Sequence, residues 1–445
     1  MENRELSYFE RISRWFRQSL TIKLASIGII MLLLMIPNAM VNDLINERRW
    51  LQQSVVDEVG QKWGKAQTLV GPILSIPFTE TLKKNDGKIV EIERIAYFLP
   101  ENLRINGELL PEVRKRSLYK VNLYKADLQV SGNFGALGLD YLTLQPKQFS
   151  WEKAKVIFGI PDMAGIEDNI FLDWNDQKLR MQPGIAQSKV VQSGVSVPVT
   201  ISGAKDNPKF QLNLKLRGSQ TIHFAPIGKE TVASLNSTWA TPSFEGNFLP
   251  NERDISEAGF SAQWKVLDFN RNYPQQWIGE QNQLNHHTFG LKLFASVDEY
   301  TKNTRSAKYA FLLISLSFLV FFFFEIINKL NIHSIQYVFI GLAISVFYIL
   351  LLSLSEHIGF NAAYWISTLA TVGLITAYSA SILNNAKRTG ILAGILVALY
   401  TFIFIILQLE DFALLAGSIG LFAVLAVVML MSRQIDWYHL KRASE

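Results

Sequence analysis

The 445 residues include no cysteine. That absence excludes disulfides, thiolate metal sites and a thiol nucleophile. It leaves the redox compartment open, because a domain with enough core folds without disulfides. Catalytic signatures are missing as well: there is no HExxH zinc helix, no GxSxG nucleophile elbow and no Walker A loop. The formal charge of +5 is not gathered into a basic patch with aromatics between, which excludes nucleic acid as a partner. The overall hydrophobic share of 49 % is ordinary. What is unusual is where the apolar residues sit. From Lys308 to Met431 they come in runs of about twenty with almost no charge, which water-soluble domains rarely contain.

Six stretches predict membrane-spanning helices: residues 22–41, 309–327, 335–354, 361–383, 390–407 and 412–431. Each approaches the ~20 residues a helix needs to cross the hydrocarbon. Helices are required because no backbone group can go unpaired in lipid. The first run is longer than the roughly 7–15 apolar residues of a signal peptide, and Ala39-Met40-Val41 is a poor cleavage site. It reads as an uncleaved anchor.

Orientation follows from the basic residues that flank the spans. Arg4, Arg11, Arg14, Arg17 and Lys23 precede or open the first span. Lys329 follows the second, Lys387 and Arg388 the fourth, and Arg433, Lys441 and Arg442 the sixth. The opposite loops carry Glu356 with His357, and Glu410 with Asp411, without Lys or Arg. Both termini, residues 1–21 and 433–445, are therefore expected in the cytoplasm, and residues 42–307 outside. In the N-terminal segment, Tyr8, Phe9, Ile12, Trp15, Phe16 and Leu20 alternate with arginines. Two readings stand: an amphipathic helix in the interface, or a polar lead-in whose arginines set topology.

Within 42–307 the pattern changes. Leu44, Leu51, Val55 and Val59 recur at helical spacing and predict a stalk reaching Gly60 or Gly64. After it the period is two: Tyr124, Ala126, Leu128 and Val130, then Phe210, Leu212, Leu214 and Leu216, alternate with polar residues as half-buried strands do. Asn85-Asp86-Gly87 and Asn175-Asp176 suit tight hairpin turns, which need positive φ. The expected fold is a polytopic α-helical membrane protein with a large inserted, β-rich, mostly antiparallel extracytoplasmic domain. That domain is expected to be a sandwich or a long twisted sheet packed on the stalk.

Candidate chemistry is sparse. His286 and His287 are adjacent and would point to opposite faces of a strand, a poor metal pair. His223, between Ile222 and Phe224, fits an outward strand position. Gly132, Gly135 and Gly138 imitate a phosphate loop without a following helix, and Asn236-Ser237-Thr238 fits a glycosylation acceptor that chance also supplies. No metal site and no cofactor is expected. Glu325 ends an apolar run four residues before Lys329, the spacing of an interfacial ion pair. Glu356 and His357, where the third span ends, are a candidate functional pair, with a plain interfacial turn as the alternative. The fourth span carries Ser367, Thr368, Thr371, Gly373, Thr376, Ser379 and Ser381, a composition that suits a bundle centre. Gly390 with Gly394, and Ala416 with Gly420, are small-residue pairs that suit close helix packing. The charge-poor interior argues against an ion or proton path.

Several segments resemble one known family. They are SFEGNFLPNERDISEAGFSAQW (Ser243 to Trp264), LVGP (Leu69 to Pro72), KYAFLLISLSFLVFFFFE (Lys308 to Glu325), LLLSLSEHIGF (Leu350 to Phe360) and RQIDWY (Arg433 to Tyr438). Taken in their order along the chain they resemble CreD, the inner-membrane cell envelope integrity family of Gram-negative bacteria. The resemblance implies an inner-membrane location and a part in the envelope stress response, of the kind linked to β-lactam and colicin tolerance. It brings no catalytic residues. The expected activity is non-enzymatic, through a periplasmic binding domain. A lipid or amphiphile carrier is the alternative reading, and a membrane-bound hydrolase the third. Expected partners are the lipid bilayer and either envelope proteins of the periplasm and inner membrane or a lipid, with the oligomeric state left open.

Overall fold

The computed structural model describes residues 20–83, 89–137, 139, 148–185, 190–279, 284, 287–293, 299–328, 330–409 and 412–433. The segments expected to form the N-terminal amphipathic stretch, the Asn85-Asp86-Gly87 turn and the cytoplasmic tail after Arg433 lie outside the described residues, as do Gly138, His286, Lys329, Glu410 and Asp411. The chain divides into two compact units. One combines Met1–Leu51 with Val297–Glu445, and the other is Gln52–Ser296.

The first unit is helical. It contains α1 (Leu20–Leu33), the start of α2 (Met35–Trp63), α3 (Glu299–Lys308), α4 (Ala310–Ile327), α5 (Ser334–Ile358), α6 (Phe360–Leu383), α7 (Ala386–Gln408) and α8 (Ala413–Arg433). Among the described residues, six helical stretches are long and apolar enough to cross a membrane, α1 and α2 counting as one. The break between those two falls at Leu34, three residues before Pro37. Proline has no N–H to give to the carbonyl of residue 33, and its ring crowds that carbonyl, so the helix yields there. Large apolar side chains stand on the outer surfaces of these helices. Leu414 and Phe422 of α8 are 87 % and 73 % exposed. In water such a surface would aggregate; in hydrocarbon it is the ordinary exterior of a spanning helix.

α3 is the main departure from the sequence reading, which placed residues 299–307 with the external domain. Its charges, Glu299, Lys302, Arg305 and Lys308, disqualify it as a span. Yet Tyr300, Asn303, Ser306 and Ala307 bury one face, and that face packs on helices of the bundle. A period-3.6 stripe decides which unit a helix joins, whatever its overall polarity.

The second unit contains the end of α2 and the described strands β1 (Gln67–Lys83), β2 (Ile89–Phe98), β3 (Asn102–Arg116), β4 (Tyr119–Asn133), β5 (Lys155–Gly159), β6 (Phe171–Trp174), β7 (Gln177–Arg180), β8 (Gln182–Pro183) and β9 (Gly194–Pro198). They continue as β10 (Lys209–Ser219), β11 (Thr221–Phe224), β12 (Glu230–Ser237), β13 (Pro242–Gly246), β14 (Glu252–Ser256), β15 (Gly259–Leu267), β16 (Gln276–Ile278) and β17 (Phe289–Leu293). One sheet runs β13-β17-β11-β1-β5-β9-β8, with β2 also on β1 and β16 on β2; the other runs β14-β15-β12-β3-β4-β10-β6-β7. Pairing is antiparallel except for β1 with β11 and β12 with β3.

The period-two stripes land as expected. Leu212, Leu214 and Leu216 of β10 lie opposite Val130, Leu128 and Ala126 of β4, and all six are buried. Asn175 and Asp176 make a two-residue turn with φ of 46° and 67°, joining β6 to β7. The inner faces of both sheets share one core, so the fold is a sandwich. Phe244 of β13 meets Trp264 of β15 edge-on at 5.6 Å, and Trp264 meets Phe289 of β17 at 5.6 Å. Chain that runs from one sheet to the other within Ser243–Trp264 thus places its aromatics where the two sheets meet. The stalk packs against the second sheet: Val56 and Trp63 form a small core with Val121 and Leu123 of β4. Arg114 and Arg217 lie over the Trp63 ring, 4.0 and 4.7 Å from its centroid, a geometry attractive through the ring quadrupole. Arg217 also gives a 2.6 Å hydrogen bond to Glu167, which holds that carboxyl below its ordinary range.

Candidate functional site

The densest polar arrangement in the helical unit forms where α5 passes into α6. The two helices are joined by Gly359 alone, at φ 79°. A Cβ is strained at that angle, so glycine permits the one-residue reversal. The reversal leaves the first N–H groups of α6 without helical partners. Glu299 of α3 fills one vacancy: its Oε2 accepts from Phe360 N at 2.7 Å. A carboxylate at a helix N-terminus also meets the positive end of the helix dipole.

Glu356, three residues before that junction, is half-buried and accepts a 2.8 Å hydrogen bond from the Tyr300 hydroxyl. Arg48 Nε of α2 stands 3.9 Å away. Asn303 bridges the same helices, giving 2.8 Å to Ser355 Oγ and 2.9 Å to the Glu299 carbonyl. Arg49 reaches Thr304 at 3.3 Å, Arg305 reaches the carbonyl of Leu409 at 3.3 Å, and Gln408 reaches Asn361 at 2.7 Å. Five helices are tied at one end of the bundle by side chains that a hydrocarbon core could not accommodate.

His357 does not share in this. It is exposed, and successive helix residues point about 100° apart, so neighbours do not face each other. The pair expected from sequence is thus one engaged carboxylate and one outward imidazole. Glu356→Gln is expected to lose most of the complementing activity of the gene in a deletion strain at normal membrane abundance, while His357→Gln keeps it. Equal complementation by both would reduce the site to a structural turn.

The opposite end of the bundle holds Glu325, 7 % exposed. Its carboxylate pairs with Lys23 of α1, accepts from Ile332 N at 3.0 Å and from the Tyr337 hydroxyl at 3.2 Å. Ser26 and Ser334 meet beside it at 3.4 Å. The sequence pointed Glu325 to Lys329 by proximity along one helix. The partner found among the described residues is a lysine on another helix, which no local spacing could show.

The small-residue pairs divide. A Cβ added at Gly420 would fall 2.0 Å from the Phe402 ring, so α8 meets α7 there, with Ala416 half-buried one turn earlier. Gly390 and Gly394 are a correction: both are exposed, and an added Cβ at either meets nothing within 4 Å among the described residues. The close approach expected of them occurs instead at Gly341, where an added Cβ would stand 2.1 Å from Leu34 Cδ1 and 3.0 Å from the Phe318 ring. On α6, Ser367, Thr368, Thr371 and Ser379 are buried as expected, whereas Gly373 and Ser381 are exposed.

In the second unit, His223 of β11, Gly290 of β17 and Glu245 of β13 stand in one cross-strand row. The imidazole lies over the glycine; burial pushes its pKa down, and Glu245 opposes that in part. His287 lies 6.1 Å from the Tyr273 ring. Among the described residues, no three His, Asp or Glu side chains are grouped to hold a metal ion.

Fold and site together define a multi-pass helical membrane protein with a β-sandwich inserted after its first span. Residues 19–438 match the family described as "Inner membrane protein CreD", and the chain belongs to that family. It is 32 % identical to inner membrane protein CreD of Escherichia coli strain K12 over 423 residues, covering 94 % of this chain and 93 % of that one. Among solved structures, the M1 zinc metallopeptidase of Deinococcus radiodurans aligns over 44 % of this chain and 42 % of its own at 8 % identity, with a TM-score of 0.20. A point mutant of the same peptidase, bound to a tripeptide substrate, aligns at 9 % identity with a TM-score of 0.19. Likeness at that level carries no inference about this chain.

Proposed function

We propose that this protein maintains the cell envelope from the inner membrane without catalysing a reaction, and that its β-sandwich lies on the periplasmic side and binds an envelope component. The observation that carries this reading is the second sheet: among the described residues it is eight strands wide, with its inner face in the core and its outer face open beyond the end that the stalk covers. A sheet that large, with one face in the core and the other solvated, offers the area on which a partner can lie, and this supports the reading. This orientation is supported by Lys23, Lys387, Arg388 and Arg433, all at the bundle end that holds Glu325, while Arg48, Arg49 and Arg305 at the Glu356 end are engaged with neighbouring helices.

Loss of the gene is expected to sensitise cells to detergent, β-lactams or colicins, with rescue by the intact chain; a deletion strain indistinguishable from its parent under all three removes the reading. Topology is tested separately, since the native chain offers no thiol. Lys178→Cys, beside the β6–β7 turn, should react with an impermeant maleimide in intact spheroplasts. Asn331→Cys and Asn385→Cys should react only after permeabilisation. Labelling at Asn385 from outside would invert the orientation.

A further inference from the structure

The outer face of the second sheet has an internal order. Strand register sets Gln263, Ser234, Asn106, Gln129 and Asn213 side by side in one row across β15, β12, β3, β4 and β10. None of the five is buried. None of their side chains hydrogen-bonds to another described residue. Four strand gaps of about 4.8 Å make the row roughly 19 Å long. It is uncharged, although charged rows flank it: Arg104 and Lys265 two residues to one side, Glu108 and Asp127 two residues to the other.

Two features separate this row from an ordinary solvated sheet face. Asn is a poor strand former, yet Asn106 and Asn213 occupy mid-strand outward positions where Thr or Val would stabilise the sheet. Departures from local propensity concentrate where function demands them. The second feature is chemical. An amide both donates and accepts, as does a hydroxyl, so a ladder of amides matches a ligand that repeats hydroxyl or acetamido groups. A polyanion would call for donors alone and a cation for acceptors alone.

We propose that this row is a binding lane for a neutral glycan strand laid across the sheet. The proposal rests on the reading that this unit meets an envelope component, and names its class. The test uses the full chain in nanodiscs and a linear β-1,4-linked N-acetylglucosamine tetramer, titrated by calorimetry. Saturable binding with a Kd of roughly 0.1–1 mM is expected, unchanged between 0.1 and 0.5 M salt because the lane is uncharged. The triple variant Asn106→Val, Gln129→Val, Asn213→Val, which removes donor and acceptor alike, should bind at least about tenfold more weakly. It should unfold at the same temperature or higher, since valine suits a strand better. The proposal is overturned if the intact chain does not bind, if the triple variant binds as well, if salt abolishes binding, or if the row instead mediates self-association that the triple variant abolishes. A deletion phenotype without glycan binding would sink the lane alone and leave the envelope role standing. Glycan binding without a deletion phenotype would do the reverse.

Discussion

Replacing Glu325 by Ala is expected to destabilise the helical unit by roughly 3–5 kcal/mol, the range for breaking a buried ion pair from one side. The substitution strands the Lys23 ammonium, and it takes the acceptor from both Ile332 N and the Tyr337 hydroxyl. Glu325→Gln keeps an oxygen for those two donors and should cost about half as much. Lys23→Met removes the counter-charge but leaves the carboxylate its two neutral donors, so its effect should fall between the two. Because Lys23 and Glu325 touch, the double variant Lys23→Met, Glu325→Gln should lose less than the sum of the singles by about 1–3 kcal/mol. Thermal or denaturant unfolding in detergent micelles reads all four. Lys329→Ala is the control for pairing along one helix and should be near neutral; if it matched Glu325→Ala, the cross-helix assignment would be wrong.

Trp264→Ala should be about as damaging to the sandwich, roughly 3–5 kcal/mol, because a fully buried indole is lost and both sheets contribute to its surroundings. Phe244 and Phe289 would each lose an aromatic neighbour at 5.6 Å. Trp264→Phe should cost far less, about 1–2 kcal/mol. The indole N–H is buried with no hydrogen-bond partner among the described residues, so phenylalanine removes an unpaired donor along with the volume. The contrast between the two variants, followed by unfolding of the full chain, separates packing from polarity. An Ala variant that unfolds with the parent would mean that the two sheets hold together without this contact.

The fold class was legible because both of its periods are local. Twenty-residue apolar runs and period-two stripes are decided by neighbours in sequence, and Asn175-Asp176 marked its turn by residue type alone. The arrangements that matter most for the site were not local. Glu356 needed Tyr300 and Arg48, and Glu325 needed Lys23, partners brought in by other helices. α3 was hidden by its charges, since only its buried face tells which unit it serves. Small residues misled in one respect: GxxxG marks a surface that allows close approach, but at Gly390 and Gly394 no described helix takes up the offer. The amide lane could not be read at all, because its order appears only when the register of five strands is known.

The Lys23–Glu325 contact joins residues 302 positions apart, with the whole sandwich between them in the chain. At roughly 5–20 residues per second, the ribosome needs about 15–60 s to make that stretch. For all of that interval the first helix lacks its later partners, and its lysine is without the carboxylate that will answer it. The intervening β-rich segment therefore has time to fold before the later helices exist. The order of synthesis makes the sandwich the older half of the molecule, and the bundle closes last.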